Sequence, residues 1–286
     1  MAFGGNPTLN DSAMDRIRNQ AGAALAGGAR GATRAQDPGE AAQRRSTTMT
    51  VSGSAFKCLM MLGIVLVTAS ITWGMMMDAI SQSQQGTGGG STLLPILMWG
   101  GAIGGFIVAI VTVFKPNFSP ITAPIYAALE GLFLGGISAV FEQQFSANQS
   151  GLEGIVFQAV LLTLSIAATM FALYGLRIIK VTEKLKAGIM IATFGVMAMY
   201  LVSFVLMLFG MPVSFLHSSS PLSIGISGVI VVIAAFNLLL DFDFIENGEK
   251  QGLPKWAEWY GAFGLMVTLI WLYIEVLRLL AKLRSR

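Results

Sequence analysis

The chain has 286 residues, 54% of them hydrophobic and 12% charged, with a formal net charge of +3. A soluble domain carries charge on roughly a quarter of its residues. Half that share, with apolar residues gathered in runs of about twenty, excludes a soluble globule and defines an all-α integral membrane protein.

The runs do not alternate in polarity, which excludes a β-barrel, whose strands read as alternating segments of about ten residues. The single cysteine, Cys58, permits no internal disulfide. The single histidine, His217, leaves no cluster to hold zinc, haem or an iron–sulfur centre, so no resident cofactor is expected. No basic patch interleaved with aromatics occurs, so the expected partner is the lipid bilayer and no nucleic acid.

Residues 1–52 read as a disordered cytoplasmic tail, and residues 53–286 as a seven-helix transmembrane domain. The tail opens without a basic-then-apolar pattern, so no secretory signal peptide is expected. Its small, Gly-rich, Arg-bearing composition buries too little apolar area to offset chain entropy. It serves either as a tether to headgroups or a partner, or as a charge signal that fixes topology.

Seven apolar runs follow, Phe56–Met77, Leu93–Phe114, Ile121–Phe141, Ile155–Leu176, Ile189–Met211, Leu222–Phe242 and Gly261–Ala281. Each is long enough, at about 1.5 Å per residue, to cross a hydrocarbon core of about 30 Å. Lys57, Lys115, Arg177, Lys180, Lys184, Lys186, Lys250 and Lys255 all fall at the tail or at even-numbered turns. The positive-inside bias therefore places the N-terminus in the cytoplasm. Lys282, Arg284 and Arg286 run against that bias, so the last helix either spans regardless or re-enters, and spanning is favoured by its apolar length. Gly100, Gly101, Gly104 and Gly105 in the second run, with Gly131 and Gly135 in the third, make GxxxG pairs suited to close helix contact.

Acids inside the runs are the candidate functional residues, because an intramembrane carboxylate is costly and is normally paired or set against a wet cavity. Glu130 lies at mid-depth in the third run, six residues after Pro124. It either lines an aqueous vestibule and joins the other acids, or bonds a neighbouring helix as a neutral group. Asp241 and Asp243 in the sixth run point about 200° apart, so they do not share a face. Asp241 is the deeper, with Asn237 one turn before it. Glu275 in the seventh run has Arg278 one turn on, its candidate ion-pair partner.

Two protease-like patterns fail on chemistry. Gly225-Ile226-Ser227-Gly228 spells a GxSG motif, but its serine needs a base on a later helix and His217 precedes it. Asp241 and Glu275 lack a GxGD context. No enzyme is expected.

NLLLDFDFIENG, a short hairpin and then LYIEVLRLL resemble the terminal signature of the Bax inhibitor-1 family, with APIYAALEGLFLGGIS similar to its third helix. The similarity covers Phe56 to Ala281 and leaves the tail outside. Asp241 falls on the family's first acid and Ile245 on its matching Ile; Phe242 and Asp243 replace a Thr-Gln pair, and Glu275 stands at the second acid. The resemblance implies a seven-helix bundle with the last helix central and an acidic pair that governs a pH-sensitive Ca²⁺ leak. The proton-sensing set is then Asp241 and Glu275, with Asp243 and Glu130 beside them, and the pair is a weak, transient site for Ca²⁺ or another cation. It also implies a bacterial inner (cytoplasmic) membrane. Two facing carboxylates would share a proton and titrate together, and two side chains supply too few of the six to eight oxygens that Ca²⁺ prefers for storage. The alternative function is a non-transporting regulator that binds another membrane protein, such as a protease. Proton-coupled solute transport is a weaker third reading, since no inverted repeat is evident.

Overall fold

The computed structural model describes residues 14–19, 47–84, 93–145, 153–211 and 219–285. His217 and the remainder of the tail lie outside them. Seven long helices form the body: α1 (Val51–Gln84), α2 (Leu93–Phe114), α3 (Ser119–Phe145), α4 (Ile155–Gly175), α5 (Glu183–Leu208), α6 (Pro221–Lys250) and α7 (Ala257–Arg284). All seven are long and apolar enough to cross a membrane. Among the described residues, β structure is confined to one isolated antiparallel bridge, Thr48–Pro254.

Several helices outrun the apolar stretches that announce them, because their polar ends find partners. α7 starts four residues before Gly261, with Glu258 buried in its first turn. It then continues unbroken for 28 residues, so the re-entrant alternative has no bend to make it.

α7 is the most enclosed helix and touches α6, α1, α3 and α4. Its Tyr260, Phe263, Met266, Leu272, Val276 and Leu277 supply much of the common core. Phe263 meets Tyr126 of α3 edge-on, with ring centroids 5.0 Å apart. α2 reaches the body chiefly through α3, and α5 chiefly through α6.

The glycine pairs act on different neighbours. A Cβ on Gly135 would lie 2.2 Å from the Ala69 carbonyl oxygen of α1, and one on Gly131 would lie 2.7 Å from that of Val65. On the other side of α3, Gly101 of α2 sits against the Leu129 carbonyl. α3 is thus clamped backbone-to-backbone between α1 and α2, a contact that small residues make possible. Gly100 faces open space.

The α6–α7 connection is compact. Gly252, at φ +65°, ends α6 in a Schellman turn, with Leu253 N donating to Gly248 O and Gly252 N to Glu249 O. The segment before α1 zips onto this hairpin, Met49 N donating to Leu253 O at 2.6 Å and Lys255 N to Thr47 O at 2.9 Å. Ser119 Oγ, at the start of α3, donates to Trp256 O.

Part of the segment expected to be disordered is built into this end. Residues 14–19 form a helical turn with Met14 and Ile17 buried, and Gln251 of the hairpin donates to Met14 Sδ at 3.3 Å. Two apolar residues three apart give so short a turn one dry face, a signal the tail's overall composition masks.

Gly135→Ala should force α1 and α3 apart and lower stability by about 1–3 kcal/mol, the usual cost of overpacking. Gly100→Ala should leave it unchanged. Thermal unfolding of the two purified variants by size-exclusion chromatography checks the contrast.

Candidate functional site

Antiparallel contacts between α6 and α7 fix their register. Gly261 faces Ile245 near the hairpin, and Lys282 Nζ lies 2.7 Å from Ser227 Oγ at the other end. Paired positions therefore sum to about 507, by the 1.5 Å rise common to both helices. Asp241 is level with Met266, and Glu275 with Val232. About nine residues, or roughly 14 Å along the axis, separate the two acids.

The structure thus does not bring Asp241 and Glu275 face to face. The expectation of a directly facing pair that shares one proton and one cation is corrected by this register. Sequence similarity aligns each acid singly, while hairpin length decides which residues meet.

Each acid is nonetheless buried, Asp241 with 0% and Glu275 with 1% of its surface exposed. Asp241 lies within electrostatic range of Cys58 on α1. Asn237, on the same face one turn earlier, donates to Thr193 Oγ1 of α5 at 2.8 Å. Glu275 sits in a three-membered cluster. Tyr200 of α5 donates to its Oε1 at 2.7 Å, and Arg278 Nη1 reaches both carboxylate oxygens, at 3.1 and 3.2 Å. Arg278 Nη1 also donates to the Tyr200 hydroxyl at 2.5 Å and its guanidinium lies over the Tyr200 ring. The expected Arg278 partnership is present, and a tyrosine from a third helix completes it.

The remaining candidates lie elsewhere. Asp243 faces the hairpin end, paired with Lys186 at 2.9 Å and accepting from Asn247 at 2.9 Å. Glu246, one turn on, binds Arg177 and Lys250 and accepts from Tyr174. Glu130 is half-buried on α3 with its carboxylate over Gly105 of α2, where a Cβ would come within 2.9 Å of Oε1. It joins neither of the deep acids. Among the described residues no group of three or more His, Cys, Asp or Glu could hold a metal ion.

Sequence reading missed Glu258. This fully buried carboxylate accepts from Thr50 N at 2.9 Å and Thr50 Oγ1 at 2.8 Å, and pairs with Lys255 at 2.7 Å and with Lys57. Gly53 is the residue beside it because a Cβ there would lie 2.2 Å from Oε1. The local clue was Lys255 three residues earlier, but Thr50 just before α1 and Lys57 within it are about two hundred residues away and carry no sequence signature. Ser227, discounted for want of a histidine, has a lysine as its basic neighbour instead.

Seven spanning helices, ionic clusters at the hairpin end and two buried carboxylates at separate depths define a polytopic helical membrane protein with an ionisable interior. The chain belongs to the Bax inhibitor 1 like family, whose model matches residues 6–285. The match takes in most of the tail, which the sequence resemblance left outside. Neither a curated protein nor a solved structure matches the chain.

Glu258→Ala should destabilise by about 3–5 kcal/mol, since it strands Lys57 in a buried setting. Lys255→Ala, on the half-exposed partner, should cost about 1 kcal/mol or less. Denaturation in matched detergent checks the ratio.

Proposed function

We propose that the protein is a pH-sensitive leak for cations, with Ca²⁺ as the cargo, in a bacterial inner membrane and with its N-terminus in the cytoplasm. The observation that carries this reading is the Glu275–Arg278–Tyr200 cluster. It is an ion pair between the buried Glu275 and the half-exposed Arg278 that, through Tyr200, ties the enclosed α7 to the peripheral α5, in a chain of the Bax inhibitor 1 like family.

Protonating Glu275 removes the charge that holds Arg278 and makes one of its carboxyl oxygens a donor, which weakens its grip on both Arg278 and Tyr200. α5 then loses one of its ties to the body and a path beside α6 widens. Asp241, about 14 Å nearer the hairpin, offers a second buried oxygen site to an ion in transit. In this reading the two acids act in series along α6 and α7, with Glu275 as the proton-responsive element and Asp241 as the cation-attracting one. Asp243, engaged by Lys186, and Glu130, set against α2, modulate from outside that line.

The orientation rests on the ionic clusters. Lys57, Arg177, Lys186, Lys250 and Lys255 all pair with carboxylates at the hairpin end, the arrangement that positive-inside topology assigns to the cytoplasm. Lys282 and Arg284, at the other end, are occupied with Ser227 and with the Phe145 and Glu153 carbonyls.

One observation favours the second reading, a non-transporting regulator that binds another membrane protein. The far half of α7 presents two cations, Arg278 and Lys282, to anything moving toward Glu275, which opposes cation passage.

Liposomes with a trapped Ca²⁺ dye, assayed from pH about 8 to 5 across the range where buried carboxylates titrate, separate the two. Wild-type flux should rise as pH falls, Glu275→Gln should leak at neutral pH with a flattened response, and Asp241→Asn should lower flux throughout. No flux from the wild type, or flux indifferent to both substitutions, would sink the leak in favour of the regulator.

A further inference from the structure

Among the described residues, the end of α7 away from the hairpin carries an excess of positive charge. Arg278 and Lys282, one turn apart on one face, have a single nearby carboxylate, Glu275, and Arg278 already reaches both of its oxygens. Lys282 is 7% exposed. Its ammonium donates to Ser227 Oγ at 2.7 Å and reaches the Ser223 carbonyl at 3.5 Å. No carboxylate of the described residues lies within ion-pair distance of it.

An ammonium has three donors, and two are engaged here. The antiparallel register sets the first turns of α6 beside this group, and the N-terminal end of a helix is itself positive. Arg284, two residues further on, directs its guanidinium to the Phe145 and Glu153 carbonyls. Several sources of positive potential therefore converge where burial makes an uncompensated charge expensive.

Depth and access point the same way. α7 spans 28 residues, roughly 42 Å against a hydrocarbon core of about 30 Å, so Lys282, two residues from its end, lies at headgroup level. Gly228 follows Ser227, about 100° around α6 from it, and a Cβ there would meet nothing within 4 Å. α6 thus leaves space on the flank next to the buried Ser227.

We propose that Lys282 and Ser227 form a binding site for a phosphate-type oxyanion, supplied as the headgroup of an anionic phospholipid or as the free ion. Lys282 contributes its charge and its remaining N–H. Ser227 accepts from Lys282, which leaves its own hydroxyl proton to donate. The bound anion neutralises the far end of the α6–α7 pair and ties it to the headgroup layer. This site is separate from the acids of the leak pathway and does not depend on that reading.

The test uses the full chain in three settings: nanodiscs of phosphatidylcholine alone, nanodiscs with added phosphatidylglycerol, and detergent with inorganic phosphate against sodium chloride of equal ionic strength. Thermal stability is followed throughout, and retained lipid is measured by native mass spectrometry. Wild type should be stabilised by phosphatidylglycerol or by phosphate, and the arm that responds identifies the source. The response should be lost in Lys282→Met, kept in Lys282→Arg and weakened at least tenfold in apparent affinity in Ser227→Ala. Ser227→Ala keeps the charge and serves even if Lys282→Met fails to fold. A wild type indifferent to both anions, a response reproduced by chloride, or Ser227→Ala and Lys282→Met variants that respond as wild type does would each overturn the proposal. So would covalent labelling of Ser227 by a fluorophosphonate, which would make the pair a serine–lysine nucleophile instead.

Discussion

The carboxylate of Glu258 has no exposed surface, and the arrangement of the hairpin end depends on it. Its oxygens hold the residue just before α1 through Thr50, the second turn of α1 through Lys57 and the hairpin through Lys255. A charge buried this deeply is tolerable only when its hydrogen-bonding capacity is filled, and here backbone, hydroxyl and two ammonium groups fill it. With α1 fixed to the start of α7, the glycine clamp between α1 and α3 sets the third helix, and α3 in turn carries α2. The peripheral helices are attached more loosely, which is where an ion pair between α5 and α7 gains leverage.

Ionic groups are sorted by depth along α6 and α7. Next to the hairpin, Asp243, Glu246 and Glu258 each face lysine or arginine. Deeper, Asp241 stands level with the apolar Met266. Further on, Glu275 meets Arg278 and Tyr200, and at the far end Lys282 meets serine oxygens. Two helices of equal rise act as a ruler, so the hairpin's length alone decides which of these groups can meet. This gives a leak mechanism two stations in series where one shared-proton pair would have given a single gate.

The seven helices were legible because a bilayer demands about twenty apolar residues per crossing, and each run produced one helix. The Glu275–Arg278 pair was legible for a similar reason, since residues three apart on a helix are neighbours whatever surrounds them. What could not be read was set by contacts across the chain. Tyr200 reaches Glu275 from 75 positions away, and Glu258 finds Thr50 across 208. The facing acids failed on the same ground, because similarity marks residue types while the turn at Gly252 sets their level. Met14 and Ile17 were lost in a segment whose average composition reads as disorder.

The Lys57–Glu258 contact joins residues 201 positions apart, and that distance has a consequence for how the protein is made. The first helix is synthesised with its lysine, while the carboxylate that neutralises it is not yet translated. At about 5–20 residues per second the wait is roughly 10–40 s. During that interval an ammonium sits near one end of a newborn membrane helix with only water, headgroups or an insertion factor to solvate it. Neutralisation of the first helix therefore waits for the last hairpin, and truncation anywhere before Glu258 leaves the opening helix with an unanswered charge.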